Sequence, residues 1–123
     1  MAERISDAEH EVMEVLWAEA PLDANAVADR LSDRQSWSLA TVKTLLSRLL
    51  AKGALTHEEA GRKFLYRPAF ERDDYVAGEG RRLVDRLFGG KLSPLVAHLA
   101  EREALTPDDI AEIEALLREL RPC

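Results

Sequence analysis

The stretch Trp37–Gly53, WSLATVKTLLSRLLAKG, decides how the rest of the chain is read. Leu39, Val42, Leu46 and Leu49 recur at helical spacing, with Leu45 and Leu50 beside them, so one side of a helix is expected to face a core. Ser38 is placed to cap that helix, and Gly53 to end it in the left-handed conformation. Thr41, Lys43, Thr44, Ser47 and Arg48 fall on the opposite side, which holds no acid. An acid-free basic face is what a helix needs to lie against a phosphate backbone and reach base edges.

The segments around this helix supply its setting. Upstream, Ser6-Asp7-Ala8-Glu9 forms an S-x-x-E capping box, so a helix is expected there, with Val12, Met13, Leu16 and Trp17 on its apolar side and Pro21 as its stop. Asp23 or Asn25 can cap a short second helix that turns Val27 and Leu31 inward. Downstream of Gly53 the period changes. Leu55–Ala60 and Lys63–Ala69 are short segments around Gly61, which predicts a β-hairpin with Arg62 and Lys63 at or beside its tip. Pro68 is expected to close the second strand. Helix, short helix, helix and hairpin make a winged helix-turn-helix, in which the third helix enters the major groove. Ser38, Thr41, Lys43, Thr44, Ser47, Arg48, Arg62 and Lys63 are therefore the candidate DNA contacts. Arg48 suits a bidentate grip on guanine or phosphate, and Lys43 suits a phosphate.

The remainder is helical again. Val76, Leu83, Leu87 and Phe88 fit one helix that Gly89-Gly90 ends, and Leu95 and Leu99 fit a shorter second one. Thr106-Pro107-Asp108-Asp109 starts a third, with Ile113 and Leu117 on its stripe. Three short helices with this many apolar side chains can pack on the first half or on a second copy. The second copy is favoured, because a lone winged helix usually binds too weakly and two half-sites make up the difference. The expected fold is thus mainly α with a small β-hairpin. A winged-helix DNA-binding domain spans residues 1–70 and a helical dimerisation domain spans 71–123.

Charge and composition fit this division. The 123 residues carry a net charge of -6, which at first argues against a nucleic-acid partner. The distribution reverses that argument. Residues 1–33 hold two basic and nine acidic side chains, residues 34–67 seven basic and two acidic, and residues 68–123 eight basic and twelve acidic. Local charge, not the total, sets the field at a binding face. No run of about 18 apolar residues occurs, so no membrane insertion is expected. The acidic N-terminus lacks the hydrophobic segment of a signal peptide, and a cytoplasmic protein is the simplest reading. Cys123 is the single cysteine and cannot build a metal site alone, so no metal or cofactor is expected. His10, His57 and His98 lie far apart and outside any HExxH motif, and no nucleophile elbow or P-loop is present. An enzyme is therefore not expected.

Four segments together resemble the penicillinase-repressor family, which groups BlaI-, MecI- and CopY-type regulators. They are Ser6–Trp17 (SDAEHEVMEVLW), Trp37–Gly53, Phe64–Pro68 (FLYRP) and Ser93–Leu120. The resemblance implies a homodimeric repressor of a palindromic operator, with Thr41, Lys43, Thr44 and Arg48 in the recognition helix and Arg62 and Lys63 at the wing. It also implies release by a proteolytic cut in the dimerisation region, triggered by a membrane-bound sensor of metalloprotease type. The corresponding stretch is LVAHLAERE, where His98-Leu99 stands in place of the Asn-Phe of the resistance repressors. The paired C-x-C motifs of the copper-responsive branch are missing. Two other readings of the residues remain: a winged helix serving as a protein-interaction module, and a repressor released by a small ligand.

Overall fold

A computed structural model describes residues 4–121, so Cys123 lies outside the described residues. Six helices and one hairpin follow in order: α1 (Asp7–Ala18), α2 (Ala24–Leu31), α3 (Leu39–Ala51), β1 (Leu55–Ala60), β2 (Lys63–Pro68), α4 (Arg72–Phe88), α5 (Leu92–Glu101) and α6 (Pro107–Leu120). The chain divides into two compact units, Met1–Val76 and Ala77–Cys123.

In the first unit, α1, α2 and α3 pack on one another and on the hairpin. Val12, Met13 and Leu16 of α1, Val27 and Leu31 of α2, and Val42, Leu46 and Leu49 of α3 are sealed from solvent. Removing side chains of this size from water contributes roughly 1.5–3 kcal/mol each. Leu39, expected on the core face, is 37% exposed instead. It is the first residue of α3, and the buried stripe begins one turn later at Val42.

The helices of the first unit are bounded by local contacts. Ser6 Oγ accepts from Glu9 N at 3.2 Å, and Glu9 Oε1 accepts from Ser6 N at 2.8 Å, which completes the capping box of α1. Asp23, not Asn25, caps α2. At the end of α3, Gly53 adopts a φ of +79°. That turn lets Gly53 N reach Leu50 O at 3.1 Å and Ala54 N reach Leu49 O at 2.9 Å, the paired bonds of a Schellman motif. The chain thereby leaves α3 directly into β1.

Glu9 does more than cap. Its side chain is buried, and Lys52 at the C-cap of α3 donates to its Oε1 and to Arg4 O. Burial pushes the Glu9 carboxyl up, but the Lys52 ammonium and the Ser6 N–H and hydroxyl outweigh it and hold the group below the usual range. One ion pair thus ties the start of α1 to the end of α3.

The hairpin is antiparallel, with Leu55 opposite Pro68 and Ala60 opposite Lys63. The second strand closes at Pro68, as expected, and Ala69 of the segment lies just outside it. Gly61 supplies the positive φ, +68°, that a two-residue hairpin loop requires at its first position. The wing is anchored twice. Tyr66 N donates to Leu22 O at 2.8 Å, with a return bond from Leu22 N at 3.3 Å, and Ala69 N donates to Ala54 O at 2.9 Å. The first turn of α4 is held to α1. Arg72 forks onto both oxygens of Glu14 at 2.7 and 3.0 Å, Trp17 Nε1 donates to Phe70 O at 3.0 Å, and the Tyr75 ring lies against Trp17 and His10. His10 Nε2 also meets Glu14, at 3.3 Å.

The second unit holds the rest of α4 with α5 and α6. Thr106 and Asp109 close a capping box on α6 behind Pro107. Among the described residues of this unit, Val84 is the buried large hydrophobic. Leu83, Leu87 and Leu117 are exposed, while Phe88, Leu95, Leu99 and Ile113 are half-buried. Val76, the last residue of the first unit, is exposed too. No helix among the described residues is long and apolar enough to cross a membrane.

Candidate nucleic-acid interface

The outer face of α3 presents Thr41, Lys43, Thr44, Ser47 and Arg48, all exposed. Two of its hydroxyls have structural duties. Ser38 Oγ accepts from Thr41 N at 3.1 Å and lies 3.1 Å from Thr41 Oγ1. Thr44 Oγ1 donates back to Ala40 O at 3.0 Å, so it meets a ligand only as an acceptor. Lys43, Ser47 and Arg48 donate to no side chain or carbonyl outside the helix among the described residues.

The cations of residues 34–67 sort into two groups. Arg34 pairs with Glu11 at 3.8 Å, Lys52 with Glu9, Lys63 with Asp23 at 3.4 Å and Arg67 with Glu58 at 3.0 Å. Lys43, Arg48 and Arg62 have no ion pair among the described residues. The segment's formal surplus therefore overstates the charge on offer. What remains sits on α3 and at the wing tip, where a phosphate backbone would run.

These two places are brought together. A hollow of about 400 Å³ is lined by Asp23, Ala24 and Asn25 at the start of α2, Lys43 and Ser47 on α3, and Arg62, Lys63, Phe64 and Tyr66 of the wing. Of the sequence-derived contacts, Lys43, Ser47, Arg62 and Lys63 thus share one concave surface. Thr41, Thr44, Arg48 and Ser38 lie elsewhere on or before α3 and do not line it. His57 stands edge-on to Phe64 with centroids 4.8 Å apart and stacks on Tyr66 at 5.8 Å, so these rings stiffen the wing.

Sequence reasoning missed Asp23 as a member of this surface. Its Oδ1 accepts from Ala26 N at 2.8 Å as the cap of α2, while Oδ2 faces Lys63. The Ala26 N–H holds the carboxyl below its ordinary range; burial opposes this and Lys63 adds to it. The cap was legible as a local pattern. The second contact, forty residues along the chain, has no local signal. Among the described residues, no group of three His, Cys, Asp or Glu side chains is placed to hold a metal ion.

Comparison with known proteins places this chain among relatives. The family model described as penicillinase repressor matches residues 5–119. The penicillinase repressor of Bacillus licheniformis is 37% identical over 116 residues, covering 94% of this chain and 91% of that protein. The methicillin resistance regulatory protein MecI of Staphylococcus aureus strain N315 is 29% identical over 113 residues, 92% of each chain. The solution structure of the monomeric form of Bacillus licheniformis BlaI in complex with the blaP half-operator superposes with a TM-score of 0.53 at 44% identity, covering 61% of this chain and 92% of that one.

Proposed function

The chain belongs to the penicillinase repressor family, and on that premise we propose that it is a homodimeric transcriptional repressor that reads a palindromic operator with two winged helices. Residues 1–70 form each reader and residues 71–123 form the dimerisation domain. The observation that carries the reading is the distribution of free cations. Among the described residues, Lys43, Arg48 and Arg62 are the unpaired ones of the basic segment, and they lie on the reading helix and the wing tip. Ser38, Thr41, Thr44 and Ser47 add hydroxyls that position the helix on the backbone or meet bases. The protein acts in the cytoplasm, where its operator is.

Dimerisation is supported by the second unit, whose apolar stripe stays in water in the single chain. Leu87 is 56% and Leu117 54% exposed. A second copy contributing the same face would cover both stripes. Release follows from a cut between His98 and Leu99 by a membrane sensor metalloprotease. That bond lies near the C-terminal end of α5, a helix without a side-chain cap and without a buried residue. Such a helix opens easily into the extended form a protease needs. Cutting removes the effective-concentration gain of the dimer, worth about 10²- to 10⁴-fold.

The test is a fluorescence-anisotropy titration on a palindromic duplex from the promoter upstream of the gene, with a scrambled duplex as control. The palindrome is expected to bind at least about 10³-fold more tightly. Arg48→Ala should weaken that complex by about 1–3 kcal/mol. Equal affinity for the two duplexes would overturn the reading.

A further inference from the structure

Of the four paired cations in the basic segment, Lys63 alone has its partner lining the interface hollow. Asp23 is not a loose surface acid there. Its side chain is 16% exposed, and its Oδ1 is committed to the α2 cap through Ala26 N. It cannot swing aside without undoing that cap. A fixed negative charge therefore stands among Lys43, Arg62 and Lys63, on the surface that a phosphate backbone would follow. A pair this exposed on the lysine side is weak in itself. Its effect comes from position: the carboxylate cancels one cation and repels an approaching phosphate.

We propose that Asp23 limits the affinity and salt dependence of DNA binding by neutralising Lys63 at the wing, so that each reader forgoes one phosphate contact. Phosphate contacts read no base. Subtracting one lowers affinity for any duplex alike and makes binding less sensitive to salt. The inference rests on the DNA-binding reading above.

The experiment compares the full-length protein with Asp23→Asn and Asp23→Ser, using the palindromic and scrambled duplexes between 0.05 and 0.2 M KCl. Asn and Ser both cap helices well and carry no charge, so circular dichroism melts should show folded proteins, and either variant serves if the other is unstable. The plot of log K against log salt is expected to steepen by about 0.9 per reader. Across that range this is about a 3.5-fold greater loss of affinity per reader. The tightening at low salt should appear on the scrambled duplex too. Adding Lys63→Ala to Asp23→Asn should return the slope to that of the parent. A folded Asp23 variant with an unchanged slope, on a parent that binds DNA, overturns this inference alone. A parent that binds neither duplex overturns the DNA-binding reading and this inference with it.

Discussion

Replacing Lys52 by methionine tests the buried pair that ties α1 to α3. The change keeps most of the aliphatic stem and removes the ammonium. Glu9, 1% exposed, keeps the Ser6 N–H on Oε1, while its Oε2 has no donor among the described residues even in the parent. Breaking such a pair typically costs about 3–5 kcal/mol. The carboxyl has an escape, which is to take up a proton on folding. From its ordinary value of 4.5 that costs about 3.4 kcal/mol at pH 7 and about 1.4 kcal/mol at pH 5.5. The expected destabilisation is therefore about 3 kcal/mol at pH 7, shrinking by half or more at pH 5.5. For a chain of this length the pH 7 figure is a fall in Tm of about 12 °C. Trp17 and Trp37 both lie in the first unit, so their fluorescence during urea or thermal unfolding reports that unit directly. Adding Glu9→Gln, which removes the stranded charge, should recover part of the loss at pH 7. A loss below about 1 kcal/mol, or one equal at both pH values, would refute the account of Glu9 as a carboxylate kept ionised by Lys52.

In the parent the sign is opposite. Glu9 and Glu14 both have lowered pKa values, Glu14 chiefly through Arg72, so their stabilisation is full above the ordinary carboxylate range. It should drain away as pH falls through and below about 4.5, which an acid titration followed by tryptophan fluorescence will check. Gly78 and Gly80 sit inside α4, and nothing lies within 4 Å of a Cβ added at either. Gly78→Ala and Gly80→Ala should each stabilise by about 0.4–1 kcal/mol in circular dichroism melts. No change or a loss would mean that the bare backbone there meets something outside the single chain. Leu87→Glu should shift sedimentation from dimer to monomer and weaken the full palindrome far more than a half-site, and a variant still dimeric at micromolar concentration would count against the proposed interface.

The parts of this molecule written in local chemistry were legible from residues alone. The capping box at Ser6, the caps at Ser38 and Thr106 and the Gly53 turn each depend on neighbours within four residues. So does the hairpin around Gly61. Leu39 shows the limit of a periodic pattern, since the spacing continues to the helix end whether or not a partner reaches that far. The contacts that shape the interface were not legible. Glu9 meets Lys52, Asp23 meets Lys63, Glu14 meets Arg72 and Tyr66 bridges Leu22, all across long stretches of chain. Counting charges along the sequence therefore located the basic segment but could not say which cations were already spent.

The bridge between Leu22 and Tyr66 covers the inner edge of the wing at β2 and leaves β1 as the outermost strand. A bare strand edge is an invitation to pair with another chain and grow into aggregates. Here that edge is only six residues long and carries Glu58 and Glu59 near its end, both exposed. Glu58 is matched by Arg67, so it is Glu59 that would set like charges against each other where two such edges met. The acids of the wing, set in the most basic part of the chain, thus make that edge a poor template for another strand.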